Sequence, residues 1–284
     1  GKGLRTGARD ALLADETTRA DRGKVFGFHR SMDTLGAVLG PLAALGWLAA
    51  HPGQFRPLFL WAFIPGVLAV GISLTLRERR AVPSGRPVVP FWASFRYWRQ
   101  APPAYRRVVG ALVAFALFNS SDALLLLLAR QRGLSDTSVI GLYILYNLVY
   151  VLSAWPLGYL ADRLGPRRLL VAGLVVFAGV YGGVALAQDE WVFAGLFALY
   201  GLYAAATEGV GKAWVSTLCA PADAGAALGT FGGLSSLAAL LASAGAGLLW
   251  QWRGPSLPFG LAAGVTLAVA AYLARVRLMP QPGA

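Results

Sequence analysis

The segment Gly158-Tyr-Leu-Ala-Asp-Arg-Leu-Gly-Pro-Arg-Arg168 is a short basic turn between two long apolar stretches. Its Gly-Pro pair favours a reversal of the chain, and its arginines favour water or lipid headgroups over hydrocarbon. Each flanking stretch supplies the roughly 20 apolar residues that a helix needs to cross a hydrocarbon core of about 30 Å. The segment therefore predicts two membrane-spanning helices that meet at one surface of a bilayer.

The composition extends this prediction to the whole chain. Of its 284 residues, 57% are hydrophobic and 13% are charged, and the mean hydropathy is +0.58. A soluble domain of this length is much more polar. The long apolar runs favour helices, because the strands of a membrane barrel would be short and alternating. We expect an all-α polytopic membrane protein with about eight spans, near residues 26–48, 58–76, 108–129, 139–160, 169–187, 192–218, 226–250 and 255–276.

The basic residues are distributed unevenly over the connections between these spans. By the positive-inside rule, the surface with the larger group faces the cytoplasm, and the C-terminus lies on that side. We expect an integral protein of the bacterial inner (plasma) membrane whose basic residues also bind anionic lipids. Nucleic acid is not an expected partner despite the net charge of +12, because no basic soluble module is present. The cytoplasmic group is Arg19, Arg22, Lys24, Arg77, Arg79, Arg80, Arg86, Arg96, Arg99, Arg106, Arg107, Arg163, Arg167, Arg168, Arg275 and Arg277, against Arg56, Arg130, Arg132 and Arg253 on the other side.

Metal and cofactor sites are not expected. Cys219 is the only cysteine, so neither an intrachain disulfide nor a cysteine-based metal site can form. His29 and His51 fall near opposite predicted surfaces, too far apart to bind one metal ion. We assign neither histidine a chemical role.

An internal repeat predicts two halves joined by a linker. Shifting the sequence so that Gly27 meets Gly229 also aligns Leu39 with Leu241, and the spans that follow correspond in hydropathy. Such repeats relate the halves of many transporters, and here they lead us to expect roughly three to four further spans before residue 1. The predicted parts are residues 1–76, the remainder of a first half; residues 77–107, a cytoplasmic basic linker; and residues 108–284, a six-helix second half.

The predicted linker contains an amphipathic segment. Phe91, Trp92, Phe95 and Trp98 share one helical face, while neighbouring arginines can reach lipid phosphates. A disordered basic linker with incidental aromatic residues is the alternative.

Acids inside predicted spans are the main candidates for chemistry, because each costs about 2.5 to 3.5 kcal/mol at the centre of a membrane helix. Asp122 follows Asn119-Ser-Ser in an otherwise apolar span, and it can bind a proton, a cationic substrate group or a polar group of another helix. Glu208 stands one turn before Lys212, which favours an ion pair within the helix and leaves proton exchange as the alternative. Asp33 lies three residues after Arg30, where we expect a structural ion pair.

Polar aromatic residues accompany these acids. Tyr143, Tyr146, Asn147 and Tyr150 form one stripe on a helix, and such a stripe can line a substrate cavity. An aromatic belt at the membrane surface is the competing explanation, which suits Trp191, Trp250 and Trp252 better than the mid-span tyrosines. Tyr200, Tyr203 and Trp214 lie on the span that carries Glu208, and the substrate-cavity candidates are Asn119, Ser120, Tyr143, Tyr146, Asn147, Tyr150 and Tyr203.

Three motifs make the chain resemble a major facilitator superfamily transporter. The turn that contains Gly158, Asp162, Arg163, Gly165, Arg167 and Arg168 resembles the cytoplasmic hairpin between the eighth and ninth helices of that family. Gly36-Ala-Val-Leu-Gly40-Pro41 resembles the Gly-Pro motif in the fifth helix of its drug-proton antiporters. The sequence 11–15 followed by Arg22-Gly23 resembles the end of the fourth helix and its loop. The resemblance covers the chain as helices five to twelve with the tail of helix four.

The hairpin is expected to act as a conformational latch. Asp162 ends a helix, where the macrodipole disfavours a carboxylate, so a group outside its own helix must stabilise it. The resemblance implies that this group is the N-terminus of the fifth helix, near Gly27. Gly165 permits the tight reversal, while Arg163, Arg167 and Arg168 can donate charge-assisted hydrogen bonds or bind headgroups. A plain cytoplasmic turn is the alternative.

Gly36, Gly40 and Pro41 predict close helix approach and a bend. This motif can set the direction of transport or simply support packing.

Together these features predict a secondary active transporter that moves a small organic solute by alternating access, is coupled to protons and is monomeric at full length. The fifth-helix motif favours an efflux antiporter. A solute-proton symporter for uptake and a non-transporting scaffold or receptor are the alternatives, whereas an enzyme is disfavoured because no activated His, Cys or Ser constellation is present.

Overall fold

The computed structural model describes residues 9, 10, 12–14, 17, 18, 20–75, 97–220 and 223–276. The described residues are mainly helical and contain no strand, so the predicted all-α class is confirmed. The helices are α1 (Arg22–Ala50), α2 (Phe55–Thr75), α3 (Pro103–Ala116), α4 (Asp122–Gln131), α5 (Asp136–Leu164), α6 (Pro166–Leu186), α7 (Glu190–Thr217), α8 (Ala224–Arg253) and α9 (Ser256–Arg275).

Within the described residues, seven helices are long and apolar enough to cross a membrane. They are α1, the Phe55–Ile72 part of α2, and α5 to α9. Their bounds lie within four residues of the predicted ones, and α1, α5 and α8 extend past the predicted span at both ends. The protein is therefore an integral membrane protein.

The span predicted over residues 108–129 is wrong as a single helix. Helix α3 ends at Ala116 and α4 begins at Asp122, with a non-helical link between them. The link contains Asn119, Ser120 and Ser121, whose side chains compete with helical backbone hydrogen bonds. Ser121 then caps α4, since its hydroxyl accepts a hydrogen bond from the Ala123 N–H at 3.3 Å.

The core lies between α3 and the α5–α9 helices. Its largest fully buried side chains are mostly aromatic, including Tyr105, Phe177, Tyr181, Phe193 and Phe259. Helix α5 packs between α1 and α7, while α6 packs against α7 and α9. Helix α2 lies at the edge of the bundle and exposes its apolar side chains, which suits a surrounding of lipid.

On α1, close approach to other described helices occurs at Gly23 and Gly27, and the role expected for Gly36 and Gly40 stays a prediction. A Cβ at Gly27 would overlap the Ala154 carbonyl, and one at Gly158 would overlap the Gly23 carbonyl. In the described part of the chain, a Cβ at Gly36 or Gly40 would meet no atom within 4 Å. We call the interface of α1 with α5 and α7 the seam. Its tightest part therefore lies at the N-terminal end of α1.

The predicted linker lies mostly outside the described residues, as do Asp15 and Arg19. Its end is visible as a helical piece at residues 97–100. The Tyr97 and Trp98 rings pack edge-on against Tyr105 of α3, with centroids 5.3 and 6.4 Å apart. The division of the chain into halves at residues 77–107 stays a prediction.

Candidate functional site

Asp162 joins the C-terminal end of α5 to the N-terminus of α1. Its two carboxylate oxygens accept hydrogen bonds from the Gly23 and Lys24 backbone N–H groups, each at 2.8 Å. These N–H groups have no partner within their own helix, and the helix dipole favours an anion at this position. The contact expected near Gly27 thus lies one turn earlier. A side chain at Gly23 would collide with the carboxylate, so the residue must be glycine.

The other hairpin residues shape the turn and bind within their own half. Gly165 has a φ of 91°, a conformation that favours glycine, and the Arg168 N–H bonds its carbonyl at 3.2 Å. The Arg163 guanidinium lies 4.5 Å from the Tyr159 ring centroid. Arg167 donates to the Ala274 carbonyl at the end of α9. The function of the hairpin as a latch stays a prediction.

Arg22 makes a second connection at the same end of the bundle. Its guanidinium donates to the Ser216 carbonyl at 2.6 Å and to the Ser216 hydroxyl at 3.1 Å. Another nitrogen of the same group reaches the Ala14 carbonyl at 3.5 Å. The N-terminus of α1 is therefore held by both α5 and α7.

A charged group lies about two to three turns further along α1 than Arg22. Arg30 forms an ion pair with Glu208 of α7 and a second one with Asp33 at 2.9 Å. The Tyr150 hydroxyl of α5 donates to the same Glu208 oxygen at 2.9 Å. The expected pairing of Asp33 with Arg30 is confirmed, but Arg30 also bridges to another helix.

Lys212 does not pair with Glu208, so the predicted ion pair within α7 is wrong in this structure. Its ammonium lies 2.6 Å from a carboxylate oxygen of Asp10, whose side chain is 5% exposed. Arg9 approaches both Asp10 at 3.7 Å and Asp33 at 3.9 Å. The packing of the helices thus places Lys212 against Asp10 and not against Glu208, the acid one turn away on its own helix. Arg9, Arg30 and Lys212 each lie close to an acid on another segment.

Asp122 is the first residue of α4 and directly follows the break between α3 and α4. The Tyr146 hydroxyl of α5 donates to one carboxylate oxygen at 2.7 Å, and the Tyr200 hydroxyl of α7 donates to the other at 2.6 Å. No ion pair among the described residues includes Asp122. The acid is thus placed at the start of a helix, where the dipole favours its charge, and is not in the middle of a span.

Further polar residues surround this acid. The Asn119 amide donates to the Tyr203 hydroxyl at 3.0 Å, and the Tyr181 hydroxyl reaches the Ser120 carbonyl at 3.5 Å. Asn147 instead donates to the Tyr143 carbonyl of its own helix at 2.8 Å. The structure therefore brings Asn119, Ser120, Tyr146 and Tyr203 to one region, with Tyr150 directed to Glu208 and Asn147 to its own backbone.

Tyr143 lines an apolar pocket of about 250 Å³ at the opposite end of α1 from Asp162. The Tyr143 ring also contacts the Tyr146 ring, with centroids 5.4 Å apart. The Tyr143 and Tyr146 rings therefore connect this pocket to Asp122. Its walls are Pro41, Ala44, Leu45, Leu48, Leu126, Val139, Ile140 and Tyr143.

Sequence reasoning missed Asp10 as a charge partner and the bridging role of Arg30. Asp10 lies just before the motif at residues 11–15, and its partner Lys212 is 202 residues away in the sequence. The available signal was that Asp10 has no basic residue three or four positions away on its own helix. Inside a membrane protein such a charge needs a partner on another segment.

Comparison with known proteins shows similarity to one protein family. A sequence profile of the family described as Major Facilitator Superfamily matches residues 107–284. The uncharacterized MFS-type transporter MJ1317 of Methanocaldococcus jannaschii is 32% identical over 258 residues, which cover 88% of this chain and 63% of that protein. An uncharacterized MFS-type transporter of Yersinia pseudotuberculosis is 28% identical over 193 residues, 67% of this chain and 47% of that protein.

A solved structure has the same fold. The crystal structure of the human organic anion transporter MFSD10 (TETRAN) superposes with a TM-score of 0.71 at 20% sequence identity. The match covers 94% of this chain and 67% of the human chain. The chain thus spans about two thirds of the archaeal relative and of the human structure, and about half of the Yersinia relative.

Proposed function

This chain belongs to the major facilitator superfamily, a family of membrane transporters, and we propose that the protein moves a small organic solute across the membrane by alternating access. In this mechanism two helical halves rock about a central site, which faces one side of the membrane at a time. Residues before and after the linker at residues 77–107 contribute to the two halves.

The observation that carries this proposal is the one-ended closure of the seam between α1 and the α5–α7 pair. Asp162, Arg22, Arg30 and Lys212 all make contacts across the seam near the N-terminus of α1. Toward the other end of α1, an apolar pocket lies between this helix and α5. This interface is held by polar contacts at one end, which we call the tied end, and contains an apolar pocket at the other. Such an interface is suited to rocking.

The distribution of basic residues supports an orientation with the tied end in the cytoplasm. The structure then corresponds to a state closed toward the cytoplasm. In this orientation the C-terminus is cytoplasmic, and we expect a monomer in the inner (plasma) membrane of a bacterium.

Coupling to protons is supported by two acids inside the bundle. Asp122 and Glu208 each accept hydrogen bonds from tyrosine hydroxyls that belong to other helices. An acid in this setting can be neutralised by a proton and recharged when the site opens to water. Either acid could therefore link solute movement to a proton gradient.

Efflux by antiport is the favoured direction, on the resemblance of Gly36, Gly40 and Pro41 to the fifth-helix motif of drug-proton antiporters. Uptake by solute-proton symport uses the same residues and is the second candidate. A non-transporting scaffold is the third.

The test is solute flux in vesicles that contain the full-length protein under an imposed pH gradient. The parent is compared with Asp122→Asn, Glu208→Gln and the control Asp136→Asn, an exposed acid whose side chain is 79% accessible. Gradient-driven flux that fails in one acid variant and persists in the control supports the proposal. Flux that ignores the gradient in the parent would exclude proton coupling, and no flux of any solute would favour the scaffold.

A further inference from the structure

The apolar pocket at the end of the seam opposite the tied end has walls on both sides of the seam. Its α1 wall is the face of Pro41, Ala44, Leu45 and Leu48, which the helical repeat places on one side of the helix. Residues of α4 and α5 form the opposite wall. A molecule in the pocket therefore contacts both sides of the seam at once.

We propose that this pocket is a subsite for the apolar group of the solute, and that the solute is a small amphiphile whose polar group is neutral or cationic. The inference rests on the proposed function, because it names the class of solute that the protein moves. It also gives Pro41, the last residue of the Gly-Pro motif in α1, a place in the solute site.

The lining of the pocket selects for an apolar group. In the part of the chain that the structure describes, Tyr143 is the one lining residue with a polar side-chain atom. An apolar cavity excludes water and favours hydrocarbon that would otherwise be exposed to water. A dry cavity of about 150 Å³ in another protein holds one benzene ring. The volume of about 250 Å³ here therefore suits an apolar group of about two fused rings.

The position of the pocket favours a solute over a lipid tail as its occupant. The Tyr143 ring lines the pocket and contacts the Tyr146 ring, whose hydroxyl donates to Asp122 at 2.7 Å. Asn119 belongs to the same polar region and donates to the Tyr203 hydroxyl. An amphiphile can place its apolar group in the pocket and its polar group toward these side chains, whereas a hydrocarbon tail leaves them unused. Ligand sites in proteins commonly combine an apolar lining with a few polar groups in this way.

The charge of the polar group follows from Asp122. Both of its carboxylate oxygens accept a hydrogen bond from a tyrosine hydroxyl, which is the pattern of an unprotonated carboxylate. Arg130, near the C-terminal end of α4, is paired with Asp136 at 2.9 Å. The adjoining parts of the chain carry no charged residue: 34–50, 108–116, 123–129, 137–161, 169–187 and 191–207. Asp122 therefore supplies the negative potential of this region, which attracts a cation and repels an anion.

The first test fills the pocket. Ala44→Leu extends a side chain from the α1 wall into the pocket, and Ala43→Leu adds the same atoms at the exposed neighbouring position as a control. The probe is radiolabelled naphthylmethanol, a neutral amphiphile with two fused rings. Its affinity for the full-length protein in lipid nanodiscs is measured by equilibrium dialysis. We expect Ala44→Leu to lower this affinity about tenfold or more, because carbon atoms of the probe lose their burial, and Ala43→Leu to leave it unchanged.

A second variant keeps the test decisive if Ala44→Leu does not fold. Leu48→Ala enlarges the pocket from the same wall. It should therefore strengthen the binding of pyrenylmethanol, a larger amphiphile with four fused rings, by about tenfold relative to naphthylmethanol. An unchanged preference between the two probes would mean that the pocket does not hold their rings.

The charge is tested with naphthylmethylamine and naphthylacetate, a cation and an anion that share one apolar group. We expect the parent to bind the cation about tenfold or more tightly than the anion, since both lose water around a charge and only the anion is repelled by Asp122. Asp122→Asn should lower this ratio of affinities about tenfold. A preference of the parent for the anion would contradict the proposed class of solute.

Two other results would overturn the subsite. One is equal affinity of naphthylmethanol for the parent, Ala44→Leu and Ala43→Leu. The other is saturable binding that appears only when detergent replaces lipid, because a lipid tail then occupies the pocket. Binding is measured without flux, so pocket-dependent binding of probes that the protein does not move in vesicles would contradict the proposed function alone. Transport of naphthylmethanol at the parental rate by Ala44→Leu would contradict the subsite alone.

Discussion

Lys212 forms its ion pair with Asp10, at 2.6 Å, although Glu208 stands one helical turn away on the same helix. Glu208 is in turn occupied by Arg30 of α1. Lys212 and Glu208 thus each pair with a residue across the seam and not with each other along α7. The charges consequently connect the two sides of the seam in this state, while their positions along each helix retain a second way to pair.

Gly23→Ala is expected to destabilise the protein by about 1–3 kcal/mol, because the new Cβ would press on the Gly158 carbonyl and on the Asp162 carboxylate. The measurement is the melting temperature of the purified protein in detergent. The matched control is Gly179→Ala on α6, where a Cβ meets no described atom within 4 Å and alanine is the better helix former. Equal melting temperatures for the two variants would contradict the tight contact between α1 and α5.

Asp162→Asn is expected to loosen the tied end of the bundle. An amide can accept only through its oxygen, so one of the two N–H groups at Gly23 and Lys24 loses its acceptor, and the favourable interaction with the helix dipole is lost as well. The measurement is the distance between spin labels at Ala20→Cys and Ala220→Cys, two exposed positions at the tied end, in the full-length protein in lipid. We expect the ratio of long to short distances to rise about tenfold, as for the loss of one hydrogen bond to a charged group.

The control for this variant is Asp189→Asn. Asp189 also caps a helix N-terminus, accepting from the Trp191 and Val192 N–H groups at 2.9 and 3.3 Å, but it caps α7 at the other end of the bundle. It should lower stability without changing the label distances. A similar distance change in both variants would mean that Asp162 acts through general stability.

The spans could be predicted from sequence because the thickness of the hydrocarbon fixes the length of an apolar helix. Helix α6, for example, covers Pro166–Leu186 where residues 169–187 were expected. The break before Asp122 was not predicted, since hydropathy averages over the polar run at residues 119–121 and does not register a loss of helical hydrogen bonds. Local composition at Asn119, Ser120 and Ser121 carried that signal.

Most contacts of the candidate site that join different helices could not be predicted from the sequence. The spacing of Arg30 and Asp33 predicted their contact correctly. Spacing along α7 could not show that Tyr200 crosses to Asp122 or that Lys212 faces Asp10, because these contacts depend on how helices far apart in the sequence pack. The contact of Asp162 with a helix N-terminus was predictable, since an acid at the end of its own helix needs an outside partner.

Tyr200→Phe is expected to lower the free energy of unfolding by about 1–3 kcal/mol, because one oxygen of the half-buried Asp122 carboxylate loses its only hydrogen-bond donor among the described residues. Tyr159→Phe is the matched control, since this tyrosine is 41% exposed and contacts Arg163 through its ring and not its hydroxyl. Chemical unfolding in detergent compares the two. Equal stability would show that the Tyr200 hydroxyl is not needed by the carboxylate.

The final prediction separates the two intramembrane acids by their effect on coupling. Asp122→Asn should abolish solute movement driven by a pH gradient while exchange of solute between the two sides of a vesicle continues, because the variant cannot change its charge. Glu208→Gln should slow both processes about tenfold, since Arg30 loses its ion-pair partner across the seam, but it should keep the dependence on the gradient. Solute flux and proton movement are measured together in vesicles. Loss of the gradient dependence in Glu208→Gln, with its retention in Asp122→Asn, would reverse the assignment of the proton site.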